Sequence, residues 1–266
     1  MSTLLQVTNL TKRFGGLTAV NSVSLAINTG EVVGLVGDNG AGKSTLIKMV
    51  SGVYQPTDGE IEFDGHKVVF SGPREARDMG IETIYQDLAL AENLDVGSNI
   101  FLGREIKRRY LGGLVQTLDR KKMQRQSEAI LERLDIRIPS LTQQIRNLSG
   151  GQRQAVAIAR TIYWNAKMVI MDEPTAALGV AEQRKVLKLV RTLAEQGIPV
   201  ILISHNMQDV FAVADRIVVM RRGRNVGELV AAESNPDEVV SRMVGAEAVH
   251  EMGVIPKALG SEGLAE

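Results

Sequence analysis

Cysteine is absent from the 266 residues, so the chain has neither a disulfide framework nor a cysteine-ligated zinc site, and a reducing compartment suits it. Aromatic residues make up only 4% of the chain, so any exposed one is noteworthy. No uninterrupted apolar run approaches the ~20 residues that a bilayer-crossing helix needs. The opening residues MSTLLQVTNLTKRF lack the apolar core and cleavage pattern of a secretory leader. Bulk charge is missing as well. The 31 basic and 31 acidic residues cancel, leaving no surplus of the kind that grips a nucleic-acid backbone. The expectation is a soluble, cytosolic chain able to dock on a membrane protein. Its length suits one large domain, or a domain with an inserted lobe.

What is present begins with GDNGAGKST at 37–45, which matches G-x-x-x-x-G-K-[ST] through Gly37, Gly42, Lys43 and Ser44. The apolar run Val32-Val33-Gly34-Leu35-Val36 precedes it and reads as a buried parallel strand, and a helical stretch from Ser44 to about Ser51 follows. In a strand–loop–helix, backbone N–H groups of Asp38, Asn39, Gly40 and Ala41 converge on a phosphate, and the helix N-terminus adds partial positive charge. Lys43 would then reach the β/γ-phosphates, and Ser44, followed by Thr45, would ligate Mg²⁺.

Ahead of this loop, two alternating stretches divided by Gly15-Gly16 predict antiparallel strands, and Glu60–Val69 reads as a hairpin around Asp64-Gly65. Gly80–Gln86 is a further strand. From about 93 to 147 the chain reads as polar and helical, an inserted lobe. Met168–Met171 and Ile198–Ser204 read as buried strands flanking an amphipathic helix at 181–196, and Asp215–Leu229 as an edge hairpin. The last ~20 residues lack periodicity and are expected to fray.

Met168–Met171 ends in Asp172-Glu173, the arrangement that a Walker B strand needs. Asp172 would sit beside the phosphate loop, where it can hold Mg²⁺ through water, and Glu173 at the tip could polarise an attacking water. LSGGQRQ at 148–154 places the natural N-cap Ser149 and Gly150-Gly151 ahead of a helix over Gln152–Tyr163, a terminus that offers a hydroxyl and N–H groups to an anion.

With both Walker elements and LSGGQ in hand, residues 4–245 resemble the ATP-binding subunit of an ABC transporter. The fold this implies is an α/β P-loop NTPase with a mostly parallel core sheet, an N-terminal antiparallel β subdomain and a helical lobe at about 93–165. The resemblance also implies that Gln86 is the Q-loop glutamine, touching Mg²⁺ or water and reporting to a permease. It makes His205 the switch histidine on the γ-phosphate, and Phe14 either the aromatic that stacks on adenine or a core residue. Ser149, Gly150, Gly151 and Gln152 would close on the ATP of a second copy of the chain. One departure stands out: Ala176-Ala177-Leu178-Gly179 puts Gly179 where the family usually has an aspartate that works across the dimer.

TLIKMVSGVYQPTDGEI, ETIYQDLAL and NLDVGSNIFLGRE look like carbohydrate importers of the ribose, xylose and fructose type. That implies integral-membrane permease subunits and a solute-binding protein as partners, no nucleic acid, and a peripheral place on the cytoplasmic face of the membrane. An importer of branched-chain amino acids and a non-transport ABC ATPase are the alternatives. Residues 87–104 are expected to meet the permease, unless Leu88, Leu90 and Leu94 serve the lobe's own core.

Overall fold

The computed structural model describes residues 2–110 and 115–245, so the expected flexible tail at 246–266 lies outside the described residues. Alternation of apolar and polar residues builds the first layer. Strands β1 (Thr3–Phe14) and β2 (Leu17–Asn28) pair antiparallel, and β4 (Asp58–Phe63) and β5 (His66–Val68) extend them in the order β2-β1-β4-β5. Leu5 and Val7 of β1, and Val23 and Ile27 of β2, are fully buried on the inward face.

Continuously apolar segments build the second layer, as strands covered on both faces should read. The sheet runs β12-β11-β3-β10-β9-β6. Its members are β3 (Val32–Val36), β6 (Ile81–Ile84), β9 (Met168–Asp172), β10 (Val200–Ile203), β11 (Arg216–Arg221) and β12 (Arg224–Val230). All neighbours are parallel except the antiparallel edge strand β12. Val200 and Leu202 face one core while Ile201 and Ile203 face another, shared with the antiparallel layer.

Register decides where the site forms. Ile203 lies opposite both Leu35 and Asp172, and Ile84 opposite Met171. The segments after β3, β9, β10 and β6 therefore leave one carboxyl edge of the sheet, carrying Gly37, Glu173, His205 and Gln86. In open α/β sheets, ligands bind at this edge.

Eight helices accompany the sheets among the described residues: α1 (Lys43–Val50), α2 (Pro73–Met79), α3 (Val96–Ile100), α4 (Arg120–Arg133), α5 (Gly150–Tyr163), α6 (Val180–Glu195), α7 (Met207–Val213) and α8 (Pro236–Val244). The lobe differs from the sequence expectation. It is not helical throughout: β7 (Lys107–Tyr110) and β8 (Val115–Leu118) form a separate antiparallel hairpin, and α3 has only five residues. The basic run of β7 and the two adjacent polar residues of β8 carry no apolar alternation, so the strand period is invisible. The lobe also shares its core with the parallel sheet. Met123, Leu131 and Leu134 pack in the same cluster as Val169, Met171 and Leu202, with α5 between them.

Candidate functional site

The loop after β3 is held open by its neighbours. Gly42, the left-handed N-cap of α1 at φ 101°, faces the carbonyl of Ala19 on β2, and a Cβ there would lie 2.7 Å from that oxygen. Only glycine fits both constraints. The turn between β11 and β12 braces the loop from the other side: Gly223 N–H donates to Ala41 O at 2.9 Å, and Asn21 N–H to Gly223 O at 2.8 Å. Asp38, Asn39, Gly40 and Ser44 are exposed at the mouth, with Thr45 half-buried behind them.

Lys43 folds back into this loop, its Nζ donating to Gly37 O at 2.5 Å and to Asp38 O at 2.9 Å. Burial lowers its pKa, opposed by the nearby charges of Glu173, Asp38 and Asp172. Asp172 answers from β9. Burial raises its pKa and Glu173 raises it further, while Lys43 and Lys48 oppose the shift. A cation placed between two carboxylates and a phosphate-binding loop suits a polyanionic ligand accompanied by a metal.

Glu173 takes a left-handed backbone conformation, φ 52°, which is uncommon for a side chain of its size. Its N–H donates to Ile203 O at 2.9 Å, and its carboxylate binds His205 through the backbone N–H (3.1 Å) and Nδ1 (2.8 Å). Behind it, the Thr175 hydroxyl donates to the Asp209 carboxylate of α7 at 2.6 Å, with both residues buried. This second link between the loop after β9 and the loop after β10 gave no sequence signal, because nothing in the chain pattern pairs Thr175 with Asp209.

Gln86 is exposed just beyond β6 and shares a cleft of about 320 Å³ with Glu173, Gly150 and Ala177. The segment after it is fixed. Leu88 and Leu90 pack against the lobe core, and Arg160 of α5 donates to the carbonyls of Leu88 and Ala89 at 2.9 Å each. Leu88 and Leu90 are therefore partly committed to the lobe's own core, the alternative weighed for them against a permease contact.

Ser149 and Gln152 form a capping box on α5: the Ser149 hydroxyl accepts the Gln152 N–H at 3.3 Å, and the Gln152 side chain accepts the Ser149 N–H at 3.0 Å. Gly150 and Gly151 have a packing role that the sequence did not show. A Cβ on Gly150 would lie 2.6 Å from Leu178 Cδ2, and one on Gly151 3.0 Å from Glu182 Cβ. Ser149, Gly151 and Gln152 border a cavity of about 420 Å³ against α6, whereas Asp38–Ala41 border a depression of about 240 Å³ with Arg221 and Arg222. Lys43, Asp172, Glu173 and His205 thus converge within the chain, while the LSGGQ end of α5 turns Ser149, Gly151 and Gln152 to the cavity against α6 and Gly150 to the cleft that holds Gln86 and Glu173.

Phe14 is solvent-facing at the end of the β1–β2 hairpin, 43% exposed, so it is not a core residue. It meets Tyr54 edge-on at 5.3 Å between centroids, with Lys12 Nζ 5.2 Å from its ring. Gly179 is the N-cap of α6 and supplies no side chain to it.

Comparison with known proteins agrees with this geometry. The family model described as ABC transporter matches residues 20–176. The chain is 50% identical over 243 residues to the xylose/arabinose import ATP-binding protein of Sulfolobus acidocaldarius, covering 91% of this chain and 94% of that one. It is 45% identical over 245 residues to the fructose import ATP-binding protein of Rhizobium meliloti, again covering 91% and 94%. Against the ribose import ATP-binding protein of Yersinia pestis, 42% identical over 242 residues, the match takes 91% of this chain but 46% of the relative. Among solved structures, a nucleotide-free ATP-binding cassette from an ABC transporter superposes with a TM-score of 0.78 at 26% identity, covering 92% of this chain and all of that one. A dimeric cassette bound to ADP and Pi gives 0.70 at 25% identity, covering 86% and 99%. Matched by family model, by near full-length relatives and by fold, the chain belongs to the ABC transporter family.

Proposed function

We propose that this chain is the ATP-binding and ATP-hydrolysing subunit of a sugar importer, and that it works as a head-to-tail pair beneath the permease on the cytoplasmic face of the membrane. The observation that carries this reading is the convergence of Lys43, Asp172, Glu173 and His205 at the carboxyl edge of the parallel sheet. No helix among the described residues is long and apolar enough to cross a membrane, so the membrane path belongs to partner subunits. The sugar class comes from the relatives named for xylose/arabinose and fructose import, and a solute-binding protein completes such a system.

In this reading residues 4–245 are the nucleotide-binding domain, with a lobe at about 93–165. Phe14 stacks on the adenine. Backbone N–H groups of 38–42 and the Lys43 ammonium hold the β/γ-phosphates. Glu173 orients the attacking water and takes its proton, and His205, steadied by Glu173, faces the γ-phosphate. Ser149, Gly150, Gly151 and Gln152 of the second copy close the site. One phosphate loop and one LSGGQ per chain favour this arrangement, as does the dimeric relative with ADP and Pi.

Mg²⁺ fits the residues present. Among the described residues no cluster of three or more His, Cys, Asp or Glu could cage a metal. Mg²⁺ is commonly held by one or two protein oxygens plus substrate phosphates, and Ser44, Asp172 and Gln86 supply oxygens of that kind. The ion would neutralise charge developing on the phosphates.

The test is oligomeric state measured together with turnover. Glu173→Gln should run as a dimer with MgATP and as a monomer without nucleotide, on size-exclusion chromatography with light scattering. Ser149→Arg should abolish that dimer. A Ser149→Arg monomer with full ATPase activity overturns the composite site. Labelled-pentose uptake by proteoliposomes that hold the chain with its permease tests the transported class.

A further inference from the structure

The balanced total charge conceals a strong local asymmetry. Between 107 and 125 the chain has seven basic residues and one acidic residue, which leaves 24 basic against 30 acidic residues elsewhere. The structure gathers this charge on the β7–β8 hairpin and the first turns of α4. Asp119 N–H donates to Ile106 O at 2.8 Å, closing the hairpin's base, and the Asp119 side chain then caps α4 by accepting the Lys122 N–H at 3.1 Å. Lys107, Arg108, Arg109, Arg120, Lys121 and Lys122 are all exposed.

Two acidic residues, Glu105 and Asp119, flank the basic strand and the start of α4, and they offset only part of this charge. Asp119 is committed to its cap, and Glu105 accepts the Gly103 N–H at 3.0 Å. Among the described residues no carboxylate comes within 4.0 Å of Lys107, Arg109, Arg120, Lys121, Lys122 or Arg125. Some basic side chains elsewhere are paired with carboxylates, among them Arg104, Arg153, Lys188 and Arg216. The hairpin is also a sheet of its own, with Gln116, Thr117 and Leu118 exposed opposite the basic strand. Two strands alone are only marginally stable in water. An exposed hairpin of one charge sign is thus suited to an anionic surface.

Its root is anchored near the segment that follows Gln86. Arg104 donates to Trp164 O at 3.2 Å, and the guanidinium groups of Arg104 and Arg160 lie 4.8 and 5.7 Å from the Trp164 ring centre. Arg160 in turn holds the Leu88 and Ala89 carbonyls, so the hairpin rises beside the segment that follows Gln86. In the transport reading, on which this step rests, that segment lies on the permease side. Cytoplasmic loops of membrane proteins carry an excess of Lys and Arg, so a permease loop is a poor match for this patch. Anionic lipid headgroups are a good one.

We infer that the β7–β8 hairpin and the start of α4 form an electrostatic contact with anionic phospholipid, which adds a second tether to the membrane besides the permease. Each basic residue close to an anionic leaflet strengthens binding roughly fivefold, and the attraction fades beyond the ~8–10 Å screening length.

Vesicle flotation tests this with the full chain. Phosphatidylcholine vesicles with and without phosphatidylglycerol are compared at low and high salt. Binding should require phosphatidylglycerol and fall with salt. Lys107→Glu/Arg109→Glu and Lys121→Glu/Lys122→Glu should each weaken it at least tenfold, with melting temperature and basal ATPase unchanged. Equal binding to neutral vesicles, no binding at all, or undiminished binding by both double variants overturns the inference. Preference for duplex DNA or RNA over anionic vesicles overturns it too and assigns the patch to nucleic acid. Because these vesicles contain no permease, failure here leaves the transport reading intact. A parent chain that floats but cannot hydrolyse ATP would fault that reading instead.

Discussion

The carboxylate of Glu173 holds His205 at two points, accepting its backbone N–H at Oε1 and lying 2.8 Å from its imidazole Nδ1 at Oε2. A carboxylate only accepts, so Nδ1 carries a proton at this contact and Nε2 is left facing outward. The side chains differ in exposure, 20% for Glu173 and 78% for His205. A half-sheltered acid thus steadies an open histidine at the mouth of the site. Glu173→Gln should preserve ATP binding and slow turnover by ~10²–10⁴-fold. His205→Ala should also slow turnover, and the double variant should lose little more than the worse single one, since groups that act as a unit are non-additive. Single-turnover hydrolysis with separate nucleotide-affinity measurements checks this. Additive losses would show two independent roles.

Lys43→Ala should act differently. Its ammonium already bridges the loop carbonyls of Gly37 and Asp38 and faces the charges of Asp172 and Glu173. Removing it costs affinity for the nucleotide itself, and it leaves Lys48 to oppose the charge of Asp172. ATP binding should weaken by about tenfold or more, as for loss of one charge-assisted hydrogen bond. Calorimetric titration with a slowly hydrolysed ATP analogue measures it.

Glu82 predicts a pH dependence of stability. It is 4% exposed on β6, and its Oε1 has no hydrogen-bond partner among the described residues. Burial pushes its pKa from 4.5 up to about 7, partly opposed by Arg77, Arg104 and Arg160. The folded chain therefore keeps a proton that the unfolded chain gives up between these values. The stabilising contribution is complete below pH 4.5 and is lost as pH rises through about 7. Glu82→Gln should flatten that slope. Its stability relative to the parent should improve by up to about 3 kcal/mol from the acidic to the alkaline end of the window. Urea unfolding of both chains across the range decides it, and parallel curves would remove Glu82 as the source.

Much of this was legible in the chain. Gly37–Ser44, Asp172-Glu173 and Ser149-Gly150-Gly151 announce themselves because phosphate binding and helix capping demand particular residues at fixed spacings. The buried strands were legible because both of their faces are apolar. The β7–β8 hairpin was not, since Lys107–Arg109 opposite Gln116–Leu118 has no strand-like alternation. Pairings between distant segments were equally hidden. Thr175 with Asp209, and Arg160 with the Leu88 and Ala89 carbonyls, depend on how α5 and α7 come back across the sheet, which no local pattern encodes.

Gly179 tests the departure in the loop after β9. It occupies the N-cap of α6 with φ −68° and ψ 156°, gives no side-chain cap, and has open space where a Cβ would stand. Aspartate fits that backbone without strain and would accept an N–H of the first turn. Gly179→Asp should stabilise the fold by roughly 0.3–1 kcal/mol through the cap and the helix dipole. A melting temperature that stays the same or drops would mean that the loop moves when a side chain is added.

The contact between Gly150 and Leu178 carries the final prediction. The N-terminus of α5 approaches the loop 174–179 so closely that a Cβ on Gly150 would sit 2.6 Å from Leu178 Cδ2. Gly150→Ala must therefore displace Leu178. Because the obstacle is the end of a side chain, the fold survives, at a cost of about 1 kcal/mol, the low end for overpacking. The displaced loop also carries Ala176 and Ala177, which border the cleft shared by Gln86 and Glu173, so turnover should fall well beyond what that stability loss implies. Leu178→Ala removes the obstacle. In that background Gly150→Ala should be nearly silent in stability, giving a coupling energy close to the whole single-variant penalty, and any loss of turnover that persists there belongs to the closure of Gly150 on the second copy's site. If the stability penalty is as large in the Leu178→Ala background as in the parent chain, the clash with Leu178 is not its source.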